Sequence, residues 1–219
     1  MNHTIYTIGH STQPIERFLA KLQEHAVGAI ADVRSTPFSR HNPQFNKDEL
    51  QAKLESHGIR YVFLGAELGA RSRDECCYVD NKVQYALLAE TPAFKAGITR
   101  VIEGARRYKI ALMCAEKDPA DCHRTILVAR HLISEGFTVL HILADSSLES
   151  QQSVLTRLVK QLEHESSRDL FNPAALTFEE AYETQGRRIA YDRSAHRIQT
   201  ERADKFRVAE QFHGKSDGK

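Results

Sequence analysis

The chain has 219 residues, 41% of them apolar and 27% charged, which is enough apolar material for a full core and argues against disorder of the whole. Its 30 basic side chains stand against 29 acidic ones, so no global field favours nucleic acid or an anionic membrane, and anion binding has to be local. The opening MNHTIYTIGHS has no basic run leading into an apolar one, and no stretch of about 18 apolar residues occurs, so neither secretion nor membrane spanning is expected and the cytoplasm is the expected compartment. In that compartment the four cysteines, Cys76, Cys77, Cys114 and Cys122, read as reduced thiols, ligands or nucleophiles rather than as a disulfide framework.

Residues 4–8 alternate β-branched and aromatic side chains and break at Gly9, a first strand. Pro14 opens a helix whose Ile15, Phe18, Leu19 and Leu22 form one apolar stripe. Residues 27–33 are an almost continuously apolar second strand ending in the polar Asp32, Arg34 and Ser35. Asn46 with Glu49 predicts a capped helix that buries Leu50 and Leu54, and residues 59–64 are a third strand. Residues 65–81 are polar and too long for a simple connection, which marks a functional loop. Two helices follow, the second capped by Thr91 ahead of Pro92. Residues 110–115 are a fourth strand. Asp121 is the expected cap of the next helix, and residues 137–143 are a fifth strand.

The alternation of strand and helix predicts an α/β fold, a three-layer, open, mainly parallel five-stranded sheet of Rossmann-like type. The β signal stops near residue 145. Residues 146–191 read as a helical C-terminal appendage, with helices over 150–165 and 177–190, and 192–219 as a charged, loosely ordered tail. In such sheets ligands sit beyond the carboxyl ends of the strands, where the strand order reverses. With the expected order 3-2-1-4-5, His10 and Ser11 after the first strand face Cys114 and Glu116 at the end of the fourth, and Asp32, Arg34 and Ser35 border the same crevice.

Cys114 ends a strand and Cys122 opens the following helix, so both thiols lie at one rim. With Asp121 as the cap, Cys122, His123 and Arg124 occupy the first turn. There the free N–H groups and the helix dipole favour a thiolate, and Arg124 suits a phosphate or carboxylate. Cys114, at the end of an apolar strand, is equally well a core thiol.

The segments GHST at 9–12, DVRSTPFSR at 32–40, LGA at 68–70 and CAEKDPADCHR at 114–124 together resemble the domain-of-unknown-function 488 family. The likeness spans about residues 4–145, and DLF at 169–171 with AYETQGRRIAY at 181–191 resembles that family's C-terminal region. The resemblance implies an α/β domain with paired cysteines and no agreed reaction. It singles out His10, Asp32, Arg34, Cys114, Cys122, His123 and Arg124. Where the family has two glycines after the third strand, this chain has Gly69-Ala70.

Three functions remain open on the residues. The first is a cysteine-dependent hydrolase or transferase for a small phosphate-bearing or nucleotide-like anion, with Cys122 or Cys114 as nucleophile and His10 or His123 as proton carrier. Arg124, Arg34, Asp32, Ser11, Ser35 and Glu116 would hold the substrate. The Cys-x5-Arg cradle of cysteine phosphatases is absent, since Arg124 is too far from Cys114 and too near Cys122. The second makes Cys114, Cys122, His123 and His10 candidate ligands for zinc or iron; adjacent Cys122 and His123 would diverge on a helix, so at most one of them is expected to join Cys114. The third, a nucleic-acid-binding module, has the least support from the balanced charge. A thiol switch between Cys114 and Cys122 is a further option. No motif identifies a cofactor.

Overall fold

In the computed structural model, residues 4–166 and 175–194 are described. Chain order gives β1 (Thr4–Gly9), α1 (Ile15–Glu24), β2 (Ala29–Asp32), α2 (Lys47–Ser56), β3 (Arg60–Phe63), α3 (Gly65–Leu68) and a small hairpin of β4 (Tyr78–Val79) and β5 (Lys82–Val83). Then come α4 (Tyr85–Glu90), α5 (Pro92–Ala105), β6 (Ile110–Cys114), a π-helical run (Arg124–Ala129) continuing into α6 (Arg130–Ser134), β7 (Thr138–Ile142), β8 (Leu148–Ser150), α7 (Gln151–Ser166) and α8 (Phe178–Ile189).

The main sheet has six strands in the order β3-β2-β6-β1-β7-β8, all parallel except β8, which pairs antiparallel with β7. Two expectations are corrected. The sheet has a sixth strand, formed by residues that carry no β pattern of their own. The fourth strand of the sequence reading (β6) lies between the second and the first, not beyond the first. Either order leaves the first, second and fourth strands inside the sheet and the third at its edge, so burial patterning does not separate them. The first and fourth strands are neighbours in both.

Each strand divides its side chains between two layers, as a pleated strand must. Phe18 and Leu22 of α1 and Leu50 and Leu54 of α2 pack with Ile8, Ile30, Ala111 and Met113. On the other face, Phe94 and Val101 of α5 and Leu132 of α6 pack with Ile5, Ala31, Leu112, Cys114 and Val139. Helices therefore cover both faces. The connection leaving β1 runs through α1 on one face, and the connection leaving β6 runs through α6 on the other. The carboxyl ends of these adjacent strands open where the order reverses.

Thr91 caps α5 through Phe94 N–H at 3.2 Å. Asn46 stands at the start of α2, yet its Oδ1 accepts from Ser39 N–H at 2.7 Å and caps nothing in the helix. In α8, Thr177 and Glu180 form a reciprocal capping box. Leu155, Leu158 and Leu162 of α7 and Ala181 and Tyr182 of α8 pack together around Ile126, and α8 reaches the turn that follows β6 through Gln185, whose Nε2 donates to Ala120 O at 3.1 Å and Asp121 Oδ1 at 3.0 Å. The segment 169–171 and all of the 192–219 tail beyond residue 194 lie outside the described residues. No helix among the described residues is long and apolar enough to cross a membrane.

A buried polar chain crosses the sheet beneath the crevice. Arg124 Nε donates to Thr7 Oγ1 at 3.3 Å, Thr7 Oγ1 is 2.7 Å from His141 Nδ1, and His141 Nε2 is 2.9 Å from Gln151 Oε1. Gln151 Nε2 in turn donates to Tyr182 OH at 2.9 Å. Burial lowers the pKa of His141 to about 3, and burial likewise holds His10 down at about 4. Both imidazoles are neutral in the folded protein near pH 7, whereas in the unfolded chain they titrate near 6.5. The unfolded state thus takes up protons first as pH falls, and stability present above pH 6.5 is lost on the way to pH 4. Each histidine contributes up to about 1.4 kcal/mol per pH unit in that window. Urea unfolding against pH checks this: His141→Asn should flatten the slope below pH 6.5 by about one proton, and an unchanged slope refutes the assignment.

Candidate metal centre and crevice

Gly9 of β1 pairs with Cys114 of β6, and the pairing continues past the strand ends through His10 N–H to Cys114 O and Ser11 N–H to Ala115 O, both 2.9 Å. A Cβ on Gly9 would stand 1.8 Å from Glu116 O, so only glycine admits this approach. Arg124 Nη1 donates to the same carbonyl at 2.9 Å. Beyond the strand ends lies a crevice of about 610 Å³, lined among others by His10, Ser11, Arg34, Ser35, Cys114, Glu116 and His123.

After Cys114 the chain makes a 3-10 turn over Pro119–Asp121, capped by Asp118, whose Oδ1 accepts from Ala120 N–H at 2.8 Å. Asp121 is therefore not the helix cap. Cys122 is extended (φ −131°, ψ 138°), and its carbonyl accepts from Ile126 N–H at 3.1 Å, which makes it the residue at the cap position. His123 is the first residue with helical dihedrals. The expectation that Cys122 and His123 diverge assumed that both were helical. Because Cys122 is extended, its thiol and the His123 ring reach the same point.

There Cys114 Sγ lies 3.6 Å and Cys122 Sγ 3.8 Å from His123 Nδ1, and Cys122 Sγ lies 2.9 Å from Glu116 Oε2. One donor atom from each of the four residues falls within 4.8 Å of all the others. His123 Nε2 lies 3.0 Å from Val33 O and so carries the ring proton of the neutral tautomer, leaving the Nδ1 lone pair aimed between the sulfurs. Cys114, Cys122 and His123 are buried, while Glu116 is exposed and turns its carboxyl end inward.

The two thiols differ in character. Burial, with the hydrogen bond and charge of Cys122, pushes the Cys114 thiol well up. Burial would also raise Cys122, but the hydrogen bond from Cys114 and the charges of Arg124 and His123 hold it well below the ordinary thiol value. Against its own desolvation, His123 is raised by the hydrogen bond to and charge of Cys122, and Glu116 is raised by burial and then by the Cys122 charge. Only Cys114 of the two sulfurs is on the crevice wall; Cys122 sits behind it, 1% exposed.

His10 Nε2 is 3.1 Å from Arg34 Nη1, and its Nδ1 is 2.8 Å from Ser11 O. A guanidinium only donates, so Nε2 accepts and Nδ1 carries the proton. The ring also stacks on Phe45 at 4.4 Å, and it stands outside the four-donor group. Asp32 is fully buried and spends both oxygens: Oδ1 accepts from Arg34 N–H and Nε, Oδ2 from Arg34 Nη2 at 2.6 Å and Tyr61 OH at 2.7 Å. It therefore holds Arg34 in the crevice wall without lining the crevice itself. Arg124 is 1% exposed and is used inside the wall, by Thr7 and the Glu116 carbonyl. Ser11 lies at the rim with a left-handed φ of 48°, and Ser35 Oγ accepts from Arg71 N–H at 2.9 Å. A Cβ on Gly69 would meet Ser35 Oγ at 2.5 Å, so the close approach at the expected loop is made with Gly69 alone.

Sequence reasoning passed over several participants. Tyr61 was not singled out: it stands level with Ile30, and its hydroxyl reaches Asp32 two positions further along β2, a contact that no sequence pattern signals. The Thr7–His141–Gln151 chain is signalled only by two polar residues, Thr7 and His141, inside apolar strands. The Val33 carbonyl that orients His123 has no sequence signal. A second thiol group, Asp74, Cys76 and Cys77, lies in the 65–81 loop with Cys76 exposed and Cys77 buried.

No curated protein and no solved structure matches the chain. The family model described as "Domain of unknown function DUF488" matches residues 14–131, a stretch holding α1, β2, β6 and all four donor residues of the cluster. By that match, the chain belongs to the DUF488 family.

Proposed function

We propose that this protein is a metal-dependent enzyme, in which Cys114, Cys122 and His123 hold a divalent transition metal, best suited to zinc, and Glu116 serves the open fourth position facing the crevice. The observation that carries the reading is the meeting of four donors within 4.8 Å, with His123 Nδ1 directed at both sulfurs and its other nitrogen tied to a backbone carbonyl. A ligating histidine commonly donates its other ring N–H to a carbonyl in this way, which fixes its tautomer and orientation. Tetrahedral zinc, with Zn–S near 2.3 Å and Zn–N near 2.0–2.1 Å, separates S and N ligands by about 3.5 Å, close to the spacings here.

Three buried N/S donors beside the Glu116 carboxylate on a crevice wall suit a catalytic site, which keeps one position for water or substrate, better than a closed structural one. The metal would lower the pKa of that water, and Glu116 is placed to accept its proton. A thiolate nucleophile has less support, because activation and access fall on different sulfurs: Cys122 is poised but buried, and Cys114 reaches the crevice but is pushed up.

Protein purified without a histidine tag is expected to carry about one zinc per chain by elemental analysis. Replacement by Co²⁺ should produce a thiolate-to-cobalt charge-transfer absorption. Metal content far below one per chain after incubation with zinc sinks the reading, and iron in its place would correct the choice of ion.

A further inference from the structure

The crevice carries more than the metal donors. Phe38, at its lip, is 62% exposed, the most exposed large apolar side chain among the described residues. Its place is nevertheless held from both sides: Lys47 N–H donates to Pro37 O at 3.0 Å, and Ser39 N–H donates to Asn46 Oδ1 at 2.7 Å. Asn46 thus serves the loop in place of its helix. A ring kept in water by a pinned backbone loses hydrophobic free energy unless a ligand covers it.

Three cationic side chains line the same crevice, Arg34, Arg71 and Lys117. Arg71 lies over the Tyr191 ring at 4.7 Å, and neither it nor Lys117 has an acidic side-chain partner among the described residues. Arg34, by contrast, is neutralised by Asp32. The hydroxyls of Ser11, Thr12 and Thr36 also line the crevice, and its volume of about 610 Å³ suits one small ligand.

We infer that the ligand is a nucleoside monophosphate or close relative, its base stacked on Phe38 and its phosphate drawn to Arg71 and Lys117. A planar ring and an anion joined by a short polar spacer answer this combination, and neither part alone does. The inference deepens the metal-enzyme reading by naming the substrate class of the same crevice.

The test is calorimetric titration of the full chain, zinc-loaded and metal-free, with the four common nucleoside monophosphates, adenosine and ribose 5-phosphate. At least one monophosphate should bind about tenfold or more tightly than adenosine or ribose 5-phosphate. Phe38→Ala should weaken that monophosphate by about tenfold, the usual loss for one stacked base, and leave ribose 5-phosphate unchanged. The double variant Arg71→Ala/Lys117→Ala should weaken the monophosphate and ribose 5-phosphate but not adenosine. All three substitutions are at exposed positions, so circular dichroism should confirm an unchanged fold. No monophosphate binding at millimolar concentration, or a Phe38→Ala loss equal for ligands with and without a base, overturns the inference. Binding by a chain that takes up no zinc would retain this ligand and remove the metal reading; zinc uptake without nucleotide binding would do the reverse.

Discussion

Cys122→Ser and His123→Ala should each lower zinc affinity by two or more orders of magnitude, while Glu116→Gln should leave it within about tenfold. Structural zinc sites gain about 10–16 kcal/mol from binding, shared among a few ligands, so losing one thiolate or imidazole removes several kcal/mol. Glu116 differs because it is exposed and faces the position left for water or substrate. Competition with a chromophoric chelator measures all three variants and Cys114→Ser on one scale. If Cys114→Ser and Cys122→Ser both match the unaltered protein, the sulfurs do not hold the metal. If Glu116→Gln falls as far as His123→Ala, the site is closed and four-coordinate, and the case for catalysis there fails.

Asp32→Ala should cost about 3–5 kcal/mol of stability, about a fifth or more of what a domain commonly has. The substitution leaves Arg34 charged, buried and without its carboxylate, and deprives Tyr61 OH of its acceptor. Arg34→Met should be similarly costly, since it leaves the fully buried Asp32 carboxylate without a cation, holding only the Tyr61 phenol and the backbone N–H of residue 34. The double replacement Asp32→Leu/Arg34→Met removes both charges and should cost less than the sum of the singles, because breaking a buried pair is worse than removing it whole. Urea midpoints with unchanged m-values would report these differences. Single losses under about 1 kcal/mol would show that water reaches the pair.

β2 and β6 were legible because parallel strands covered on both faces need continuous apolar runs, and IALMC at 110–114 is such a run, while β1 was legible from its alternation. The alternation with helices conveyed the three layers, and Thr91-Pro92 conveyed a helix start. The segment 148–150 was not legible: three residues with two polar side chains become β8 only because β7 offers an open edge. Strand order was likewise undetermined, since two orders bury the same strands.

At the site, the sequence by itself determined which chemistry is near the strand ends: two thiols, an imidazole and a carboxylate within ten residues, with His10 and Asp32-Arg34 nearby. Only the tertiary structure decided their roles. Cys122 joins His123 because the capped turn at Asp118 leaves it extended. Arg124 goes inside the wall because Thr7 and the Glu116 carbonyl need its donors, and His10 is withdrawn from the cluster by Arg34. The Asp118 turn is local, but the fates of Arg124 and His10 rest on contacts with Thr7 and Arg34, residues distant in sequence, about which local propensity and residue spacing carry no information.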